Sequence, residues 1–552
     1  MGLKHINAVI IGSGAGGGAM AKQLAEGGLS VVVLERGKWM NKFEHYDDEF
    51  LSVSPEILGP SKKHTRVVSK THDGQNWITL PANTGNNRTV NNASAVGGGT
   101  QFYAGMAWRF VPEDFKMRST YGEISGANLE DWPISYEDLA PYYERVEWEV
   151  GVAGDNKDNP FSGPMAKDYP MPAFAYDKAG HLLADAGKKL GLHPAPVSMF
   201  RNSTSHNGRP VCIRRQKCMG WNCPQNARNG SQNTTLVDAL NSGNCEIRVE
   251  CVAREIVVDD KGHAKGVKYF DKENNAQFQS ADLVICSAGA TESARLLLNS
   301  KSKLFPNGAG NNYDLVGRNF QGHLYAITRG FAQERVSIGP GPGRTTCFMD
   351  YLHHNPGIIG GGLIDGSFPN LPYSFARSIG GWGKSYKDTV RDKFGKELWV
   401  LACVQEMPVY ESRVYLDPKV KDFWGIPVLR IHGIRHPNDF KVFNFLAEKS
   451  AEILKETGAT EIRKQTLDVP KENVFNSKPH GQHQAGTCRM GNDKKRSVTN
   501  QYGQIHEIDN LFVCDAGLHV TNAGLNPSET IMALGFRNGE YIVNEWKGTK
   551  FK

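Results

Sequence analysis

The sequence predicts an α/β fold in which a nucleotide-binding domain is built from discontinuous segments and carries an inserted domain of antiparallel sheet plus helix. Three observations support this prediction. A glycine-rich β-α-β pattern occupies the first 35 residues, similar strand–glycine–helix turns return near residue 289 and in the last 75 residues, and a stretch with period-2 patterns lies between them. Such separated segments indicate one sheet assembled from distant parts of the chain.

The first β-α-β unit has the features of a Rossmann-like dinucleotide site. Gly12, Gly14 and Gly17 have G-x-G-x-x-G spacing on the first strand-to-helix turn, where glycine permits the tight turn, the approach of a pyrophosphate and close helix packing. Glu35 ends the second strand about 20 residues later, where a carboxylate can bind a ribose hydroxyl. An acid here favours FAD or NAD over NADP. The alternative is a glycine-rich turn in an ordinary β-α-β unit.

Length and charge exclude several classes of protein. A chain of 552 residues is too long for one hydrophobic core. Its 64 Lys and Arg against 58 Asp and Glu give a net charge of +6, which favours neither nucleic acid nor an anionic membrane as a partner. No apolar run has the length of a membrane span, and no secretory signal precedes the first strand. We therefore expect a cytoplasmic protein or one exported by another route.

Local patterns predict the elements that follow. Gly97-Gly98-Gly99-Thr100 suggests backbone laid against a flat ligand with one hydroxyl in reach, although such a sequence also suits an ordinary loop. A helix is expected over 132–150, with Ser135 and Asp138 forming a capping box. Further helices are expected over 178–191, 231–241 and 437–457, and from residue 290 after a strand that ends at Gly289. Period-2 patterns in the stretch from about 325 to 470 predict the antiparallel sheet of a substrate domain.

Three cysteines form the one close cluster of this residue type: Cys212, Cys218 and Cys223. Thiolates at short spacing, the last followed by proline, suit an iron–sulfur cluster, and three ligands fit 3Fe-4S better than a four-cysteine site. Zinc would need a further ligand such as His206. A disulfide with one free thiol, or three unligated cysteines, are the alternatives.

The order of these motifs resembles the glucose-methanol-choline (GMC) flavin oxidoreductases over essentially the whole chain. The matching features are the glycine turn with Glu35, the Gly97–Thr100 loop with Gly105-Met106, Ala288-Gly289-Ala290, His483-x-x-Gly-Thr-Cys, and Asp515 followed eleven residues later by Asn526-Pro527. The resemblance implies a GMC or p-hydroxybenzoate-hydroxylase-like fold. It places the FAD-binding domain at 1–37, 88–110, 200–324 and 480–552, cap and connecting helices at 38–87 and 111–199, and the substrate domain at 325–479.

The resemblance also implies where FAD would bind. The ADP part would lie against Gly12, Gly14, Gly17 and Glu35, with Val252 near the adenine. The flavin and ribityl chain would lie near Gly98, Thr100, Gly105, Ala288, Asp515, Ala516 and Asn526. Some relatives attach flavin through a histidine near the glycine loop. Gln101, Phe102 and Tyr103 stand there in this chain, so we expect non-covalent FAD. Ala104 replaces an asparagine that many members carry.

The family's chemistry implies two catalytic residues. Alcohol oxidation needs a base for the hydroxyl proton and a flavin whose N5 takes the hydride. His483 matches the family's base and Asn526 its partner, which would hydrogen-bond the substrate oxygen. Without the family, a histidine in a glycine-rich loop is more often structural. His480 and His519 lie nearby in sequence, and His519 is a second candidate for substrate contact.

The cysteine segment resembles the large subunits of bacterial FAD sugar dehydrogenases, with one more residue between Cys218 and Cys223 than in their pattern. This implies a 3Fe-4S cluster that passes electrons to a haem or quinone acceptor. It also implies a small signal-bearing subunit with which the chain would be co-exported to the periplasm, while a cytoplasmic location stays open.

The expected substrate is a sugar or glycoside, with the C3 hydroxyl of glucosides first and gluconate and free aldoses next. Trp382, Tyr386 and Trp399 are candidates for stacking on sugar rings, with core packing as the alternative. The competing functions are a cluster-free oxidase that makes hydrogen peroxide, a non-catalytic flavoprotein electron-transfer subunit, and an NAD enzyme.

Overall fold

The computed structural model describes residues 4–44, 46–47, 49, 66–69, 77–80, 93–157, 159–476 and 482–546. His480 and the domain limits at 87, 88 and 480 lie outside the described residues. Within the described ranges the strands, numbered in chain order, are β1 Ile6–Ile11, β2 Val31–Leu34, β3 Arg66–Ser69, β4 Trp77–Leu80, β5 Ala153–Gly154, β6 Met171–Pro172, β7 Pro194–Pro196, β8 Cys245–Arg248, β9 Val252–Val258, β10 Ala264–Phe270, β11 Ala276–Cys286, β12 His323–Phe331, β13 Thr346–Phe348, β14 Gly362–Asp365, β15 Glu397–Gln405, β16 Arg413–Lys421, β17 Pro427–Arg435, β18 Thr460–Arg463, β19 Val474–Asn476 and β20 Leu511–Val513.

The α-helices of the same ranges are α1 Ala15–Glu26, α2 Met117–Tyr121, α3 Tyr136–Arg145, α4 Lys178–Lys189, α5 Thr235–Asn241, α6 Ala290–Asn299, α7 Pro372–Ile379, α8 Gly383–Lys393, α9 Pro437–Glu456 and α10 Ser528–Tyr541. Ser135 caps α3, and Asp138 completes the predicted capping box. A π-helical segment, Val146–Gly151, continues α3. The sequence patterns did not predict α7 and α8.

The nucleotide sheet joins strands from both ends of the chain. Its order is β8-β2-β1-β11-β10-β9, with β20 paired to β11. β1 pairs in parallel with β2 and β11, and β20 is also parallel to β11. β1 and β2 are almost entirely buried, which explains their continuous Val and Ile runs, since helices cover a parallel sheet on both faces. The α/β fold with a discontinuous nucleotide domain is thus confirmed.

The region from 325 to 479 contributes to two further sheets, whereas the sequence patterns suggested one. The six-stranded sheet β18-β12-β15-β14-β13-β7 is antiparallel, and apolar residues of α9 belong to its core. The other sheet has the order β16-β17-β3-β4, with β19 on β17. β7 and β3 come from segments assigned to the cap and connecting helices. Period-2 patterns predict strands but carry no information on which distant strand is the partner.

The six-stranded sheet and the nucleotide sheet both contribute residues to one cavity, in which the candidate site lies. Among the described residues, no helix is both long and apolar enough to cross a membrane.

Candidate active site

A cavity of about 770 Å³ extends from the first turn of the nucleotide fold to the six-stranded sheet. One end is lined by the β1–α1 turn, Glu35 and the start of β9. The middle is lined by Gly98–Thr100, Phe102–Met106 and Met219–Trp221, and the far end by side chains of β12 and β15 together with residues 482–484 and 526–528. The cavity thus brings almost all of the predicted cofactor and catalytic residues together.

Each glycine of the first turn has its own steric reason. Gly12 has a φ of +99°, and a Cβ on it would lie 2.4 Å from the carbonyl oxygen of Ser287. A Cβ on Gly17 would lie 2.1 Å from the Gly12 carbonyl oxygen, so this glycine allows α1 to pack on β1. A Cβ on Gly14 would meet no protein atom within 4 Å. The space beside Gly14 therefore belongs to the cavity, as an approaching pyrophosphate requires.

Glu35 lines the cavity at the end of β2 and is held by the backbone around it. One carboxylate oxygen accepts hydrogen bonds from the Ser13 amide at 3.0 Å and the Ser13 hydroxyl at 2.6 Å. The other oxygen accepts from the Gly37 amide at 2.7 Å. A carboxylate oxygen has more than one lone pair, so the fixed Glu35 retains capacity to bind a ribose hydroxyl.

The glycine loop lies over the same turn, and its Thr100 hydroxyl is hydrogen-bonded within the protein. The Gly97 amide donates to the Ser13 hydroxyl at 3.0 Å. Thr100 lines the cavity, but its hydroxyl donates to the Gly97 carbonyl at 2.7 Å and accepts from the Ser231 amide at 3.1 Å. This hydroxyl therefore stabilises the loop, because short polar side chains readily bond to nearby backbone. A contact of Thr100 with the flavin stays a prediction.

The remaining predicted cofactor residues also line the cavity: Gly98, Gly105, Val252, Ala288, Asp515, Ala516 and Asn526. The Asp515 carboxylate accepts from the amides of Gly289 at 3.0 Å and Gly517 at 2.7 Å. Burial raises its pKa to about 6, although these bonds and the Ser293 hydroxyl oppose the rise. Asp515 thus ties the start of α6 to the segment after β20.

His483 and Asn526 lie together at the far end of the cavity, as predicted. The Asn526 side-chain nitrogen is 3.4 Å from Nε2 of His483. His483 has a left-handed φ of +57°, and its carbonyl accepts from the Asn522 amide group at 2.8 Å. Burial, with the charges of His323 and Arg344, lowers the pKa of His483 well below its ordinary value. The His483 ring is therefore a neutral proton acceptor beside an amide donor.

His323 was not among the residues predicted for the site, yet it contacts His483 directly. Its Nδ1 atom lies 2.7 Å from Nδ1 of His483, and the Tyr325 hydroxyl lies 3.0 Å from the same His483 atom. His323 and Tyr325 are two residues apart on β12, so their side chains share one face of the strand. The signal available in the sequence was this i, i+2 pair of polar residues at the start of an apolar strand.

His323, His483 and Cys403 bring one potential metal-ligand atom each to within 4.8 Å of the others. The Cys403 sulfur lies 3.0 Å from Nδ1 of His323. A tetrahedral zinc with Zn–N bonds of 2.0–2.1 Å would hold two nitrogens roughly 3.3 Å apart. The 2.7 Å separation of the two imidazoles is shorter, so the arrangement is a hydrogen-bonded one.

Three aromatic or histidine candidates lie away from this cavity. His519 is fully buried against the rings of Phe110 and Trp132 and does not line the cavity, so the expected substrate contact is wrong. Trp382 is 89% exposed and, like Tyr386, is absent from the lining. Trp399 does line the cavity, close to Phe368 at a ring-centroid distance of 6.1 Å.

The three clustered cysteines are half-buried, and none of the ten cysteines forms a disulfide among the described residues. The segment between them contributes Met219, Gly220 and Trp221 to the cavity wall. The Cys212 sulfur accepts from the Arg214 amide at 3.3 Å. Burial, with Cys218 and Cys223, raises the pKa of Cys212. For Cys218 burial acts in the same sense, but Arg201, Arg228 and Arg215 outweigh it and lower its pKa.

Two buried arginines next to these cysteines are a second feature that the sequence analysis missed. Arg201 and Arg228 are 0% and 2% exposed. They donate to the carbonyls of Ala104, Gln101, Cys218 and Trp221. Among the described residues neither guanidinium forms an ion pair with a carboxylate, and the Nε atom of each has no hydrogen-bond partner. Buried charges are normally paired, so this position favours an anion.

Comparison with known proteins gives matches along the chain. A family model described as GMC oxidoreductase matches residues 15–325, and its C-terminal counterpart matches residues 408–535. A 2-methyl-1,2-propanediol dehydrogenase of Mycolicibacterium austroafricanum is 29% identical over 548 residues, which cover 97% of this chain and 94% of the relative. The fructose dehydrogenase large subunit of Gluconobacter japonicus is 26% identical over 587 residues, covering 98% of each chain.

Solved structures share the fold at lower identity. A pyridoxine 4-oxidase from Mesorbium loti superposes with a TM-score of 0.61 at 17% identity, covering 97% of this chain and 98% of that one. A formate oxidase superposes with a TM-score of 0.65 at 15% identity, covering 99% and 100% of the two chains.

Proposed function

The chain belongs to the GMC oxidoreductase family, and we propose that it is an FAD-dependent dehydrogenase which oxidises a sugar or glycoside hydroxyl to a ketone. As a member of this family, which binds FAD, it is an oxidoreductase acting on alcohol or sugar CH–OH groups. The finer proposal adds that electrons leave through a 3Fe-4S cluster to a partner. The main support for an alcohol oxidation is that His483 and Asn526 lie side by side in the cavity that continues to the nucleotide turn.

His483 and Asn526 have different roles in the oxidation of the alcohol. Nε2 of His483, neutral because its pKa is lowered, accepts the hydroxyl proton. Asn526 donates its amide hydrogen to the substrate oxygen and fixes its orientation. FAD, when bound, supplies the acceptor for the hydride from the adjacent carbon. The apolar residues Ile327, Leu401 and Phe368 line the same end of the cavity and exclude water from the reacting groups.

Trp399 and Phe368 support a sugar or glycoside as substrate, because flat aromatic faces suit the C–H faces of sugar rings. Arg344 lines the cavity beside them, with its guanidinium 5.0 Å from the centre of the Phe368 ring. Several relatives are named for carbohydrates or related compounds, including the fructose dehydrogenase large subunit, a gluconate 2-dehydrogenase flavoprotein and a paromamine 6'-oxidase. The C3 hydroxyl of glucosides remains our first choice, on the resemblance alone.

A 3Fe-4S cluster fits the charges around Cys212, Cys218 and Cys223. These residues would hold the cluster, which when bound supplies a one-electron relay. Its thiolate ligands make such a cluster anionic, and the buried Arg201 and Arg228 have no carboxylate partner among the described residues. An anionic cluster would neutralise them. We extend the proposal to a separate electron-accepting partner, for which the two relatives named as a large subunit and a flavoprotein are the precedents.

Anaerobic purification followed by absorbance spectroscopy and iron analysis tests this proposal. We expect flavin bands, a broad sulfur-to-iron absorption, and iron in the ratio of one 3Fe-4S cluster to each flavin. Addition of a methyl glucoside should bleach the flavin bands, and a dye acceptor should sustain turnover in which oxygen consumption is slow. Flavin without iron, together with rapid peroxide formation, would favour the oxidase. Relatives named 6'''-hydroxyparomomycin C oxidase and paromamine 6'-oxidase keep that alternative open.

A further inference from the structure

We propose that His323 is a positioning residue that sets the tautomer of His483 and shares the proton that His483 takes from the substrate. The proposal rests on the proposed role of His483 as base. It goes beyond that role because it explains which nitrogen of His483 is free to act and where the positive charge resides after proton transfer.

The hydrogen of the neutral His323 ring lies on Nε2. This atom lies 2.6 Å from the carbonyl oxygen of Ala523. A carbonyl oxygen only accepts hydrogen bonds, so Nε2 carries a hydrogen. In the neutral ring the other nitrogen, Nδ1, is then unprotonated and presents a lone pair.

The imidazole rings of His323 and His483 are in direct contact. Nδ1 of His323 lies 2.7 Å from Nδ1 of His483, and the rings meet nearly edge to face at an interplanar angle of 86°. Two bare nitrogens at this distance would repel each other, and two protonated ones would clash. One hydrogen therefore lies between them, and because His323 presents its lone pair, this hydrogen belongs to His483.

Nε2 of His483 is the nitrogen that is left without a hydrogen. A neutral His483 with a hydrogen on Nδ1 has a bare Nε2. Nε2 is the atom that faces the Asn526 amide at 3.4 Å. A backbone carbonyl and a side-chain amide hold this arrangement, because the carbonyl of Ala523 directs His323 and the Asn522 side chain donates to the carbonyl of His483.

The charge after proton transfer is shared by both rings. The alcohol O–H bond breaks and Nε2 of His483 gains the proton, while the hydride leaves carbon for the bound FAD that the proposed function supplies. The hydrogen between the two Nδ1 atoms can then shift to His323. His323 would carry hydrogens on both nitrogens and keep donating to Ala523, so the positive charge spreads over two imidazoles.

The neighbours of the pair are consistent with this assignment. The Tyr325 hydroxyl can accept weakly from Nδ1 of His483 at 3.0 Å, and the Cys403 thiol lies 3.0 Å from Nδ1 of His323. Arg344 is the nearby cation that disfavours a second permanent charge on His483. His519 is fully buried, and its pKa is lowered to about 4 chiefly by burial and to a smaller extent by His323. A positive charge at the pair is therefore disfavoured before the proton is transferred.

The test compares His323→Leu with His323→Asn in the holoenzyme. Leucine removes both hydrogen bonds, whereas the asparagine oxygen can accept from Nδ1 of His483. We expect kcat to fall about 10²-fold or more for leucine and clearly less for asparagine, with KM and flavin content little changed. His181→Leu is the matched control, because it makes the same substitution at an exposed histidine of α4; its kcat should stay within about threefold of wild type.

A spectroscopic readout separates positioning from simple destabilisation. In holoenzyme labelled with ¹⁵N-histidine, His483 should show a protonated Nδ1 and a bare Nε2, and His323→Leu should abolish this pattern. A wild-type His483 with its hydrogen on Nε2 would overturn the proposal, as would a fully active His323→Leu. If His483→Ala keeps its activity, the proposed function fails; if it is inactive while His323→Leu matches wild type, only the positioning role fails.

Discussion

Gly14 and Gly98 face each other across the first turn of the nucleotide fold. A Cβ on Gly98 would lie 3.1 Å from the Cα atom of Gly14, whereas a Cβ on Gly14 would point into the cavity with no protein atom within 4 Å. The glycine loop thus closes directly over the phosphate-binding turn. This contact joins two motifs that are more than eighty residues apart in the chain.

Gly14→Ala should weaken FAD binding without destabilising the apoprotein. Gly14 has a φ of −69°, which alanine adopts readily. Its new methyl group would occupy space that a pyrophosphate needs. We expect the dissociation constant of FAD to rise at least tenfold, measured by flavin fluorescence, while the unfolding midpoint of the FAD-free protein stays unchanged.

Gly12→Ala is the contrasting variant. Its φ of +99° and the 2.4 Å approach of its Cβ to the Ser287 carbonyl should lower the free energy of unfolding by more than about 2 kcal/mol, even without FAD. Equal apoprotein stability for the two variants would contradict the assignment of the space beside Gly14 to the cofactor.

His483→Ala should lower kcat by about 10²- to 10⁴-fold, since a general base contributes an acceleration of that order. FAD content, measured from the absorbance spectrum, should stay near that of wild type, because the ring lies at the substrate end of the cavity. His181→Ala, on the exposed side of α4, is the control and should match wild type. Activity that survives in His483→Ala would indicate a non-catalytic flavoprotein subunit.

The pH profile should reflect the depressed pKa of His483. Burial chiefly, with His323 and Arg344, lowers this pKa well below 6.5. A base is active when it is neutral, so kcat/KM should stay level from pH 8 to pH 6.5 and fall only at lower pH. Asp515, with a pKa of about 6, titrates nearby, so flavin content must be measured at each pH. An acid limb centred at or above pH 6.5 would refute the assignment.

Cys218→Ser should remove iron and leave the flavin. Loss of one of three cysteine ligands disrupts a cluster, whereas the polypeptide around it is held by other hydrogen bonds, such as Gly220 amide to Phe102 carbonyl at 2.8 Å. We expect the steady-state rate with an added electron acceptor to fall more than the rate at which substrate reduces the flavin in single-turnover experiments. Cys245→Ser, on β8, is the matched control. Unchanged iron content in Cys218→Ser would exclude the proposed ligand set.

Trp399→Ala and Trp382→Ala should differ in their effect on substrate binding. Trp399 lines the cavity, whereas Trp382 is 89% exposed outside it. An aromatic contact with a bound ring of about 1.4 kcal/mol corresponds to a tenfold change, so KM for the best sugar substrate should rise by about that factor in Trp399→Ala. KM in Trp382→Ala should equal that of wild type. Equal KM values for both variants would exclude Trp399 from the substrate site.

Features that depend on local rules could be predicted from the sequence. Within the first β-α-β unit, Gly12 is required by its positive φ and Gly17 by its close approach to the Gly12 carbonyl, and Ser135 caps its own helix through Asp138. The motif around His483 and Asn526 was recognisable because their family pattern keeps its order and spacing. For the same reason the nucleotide domain and its cofactor class could be predicted before any contact was known.

Features that depend on distant partners are set by the packing of the folded chain and could not be predicted from the sequence. His323 contacts His483, which is 160 residues away in the sequence. Arg201 and Arg228 are buried beside the cysteine segment, whereas from composition alone they would be expected at the surface. The Thr100 hydroxyl accepts a hydrogen bond from the Ser231 amide, which lies 131 residues further along the chain. Hydrogen bonds and charge pairs of this kind are set by how sheets and loops pack in space, and local periodicity carries no record of that packing.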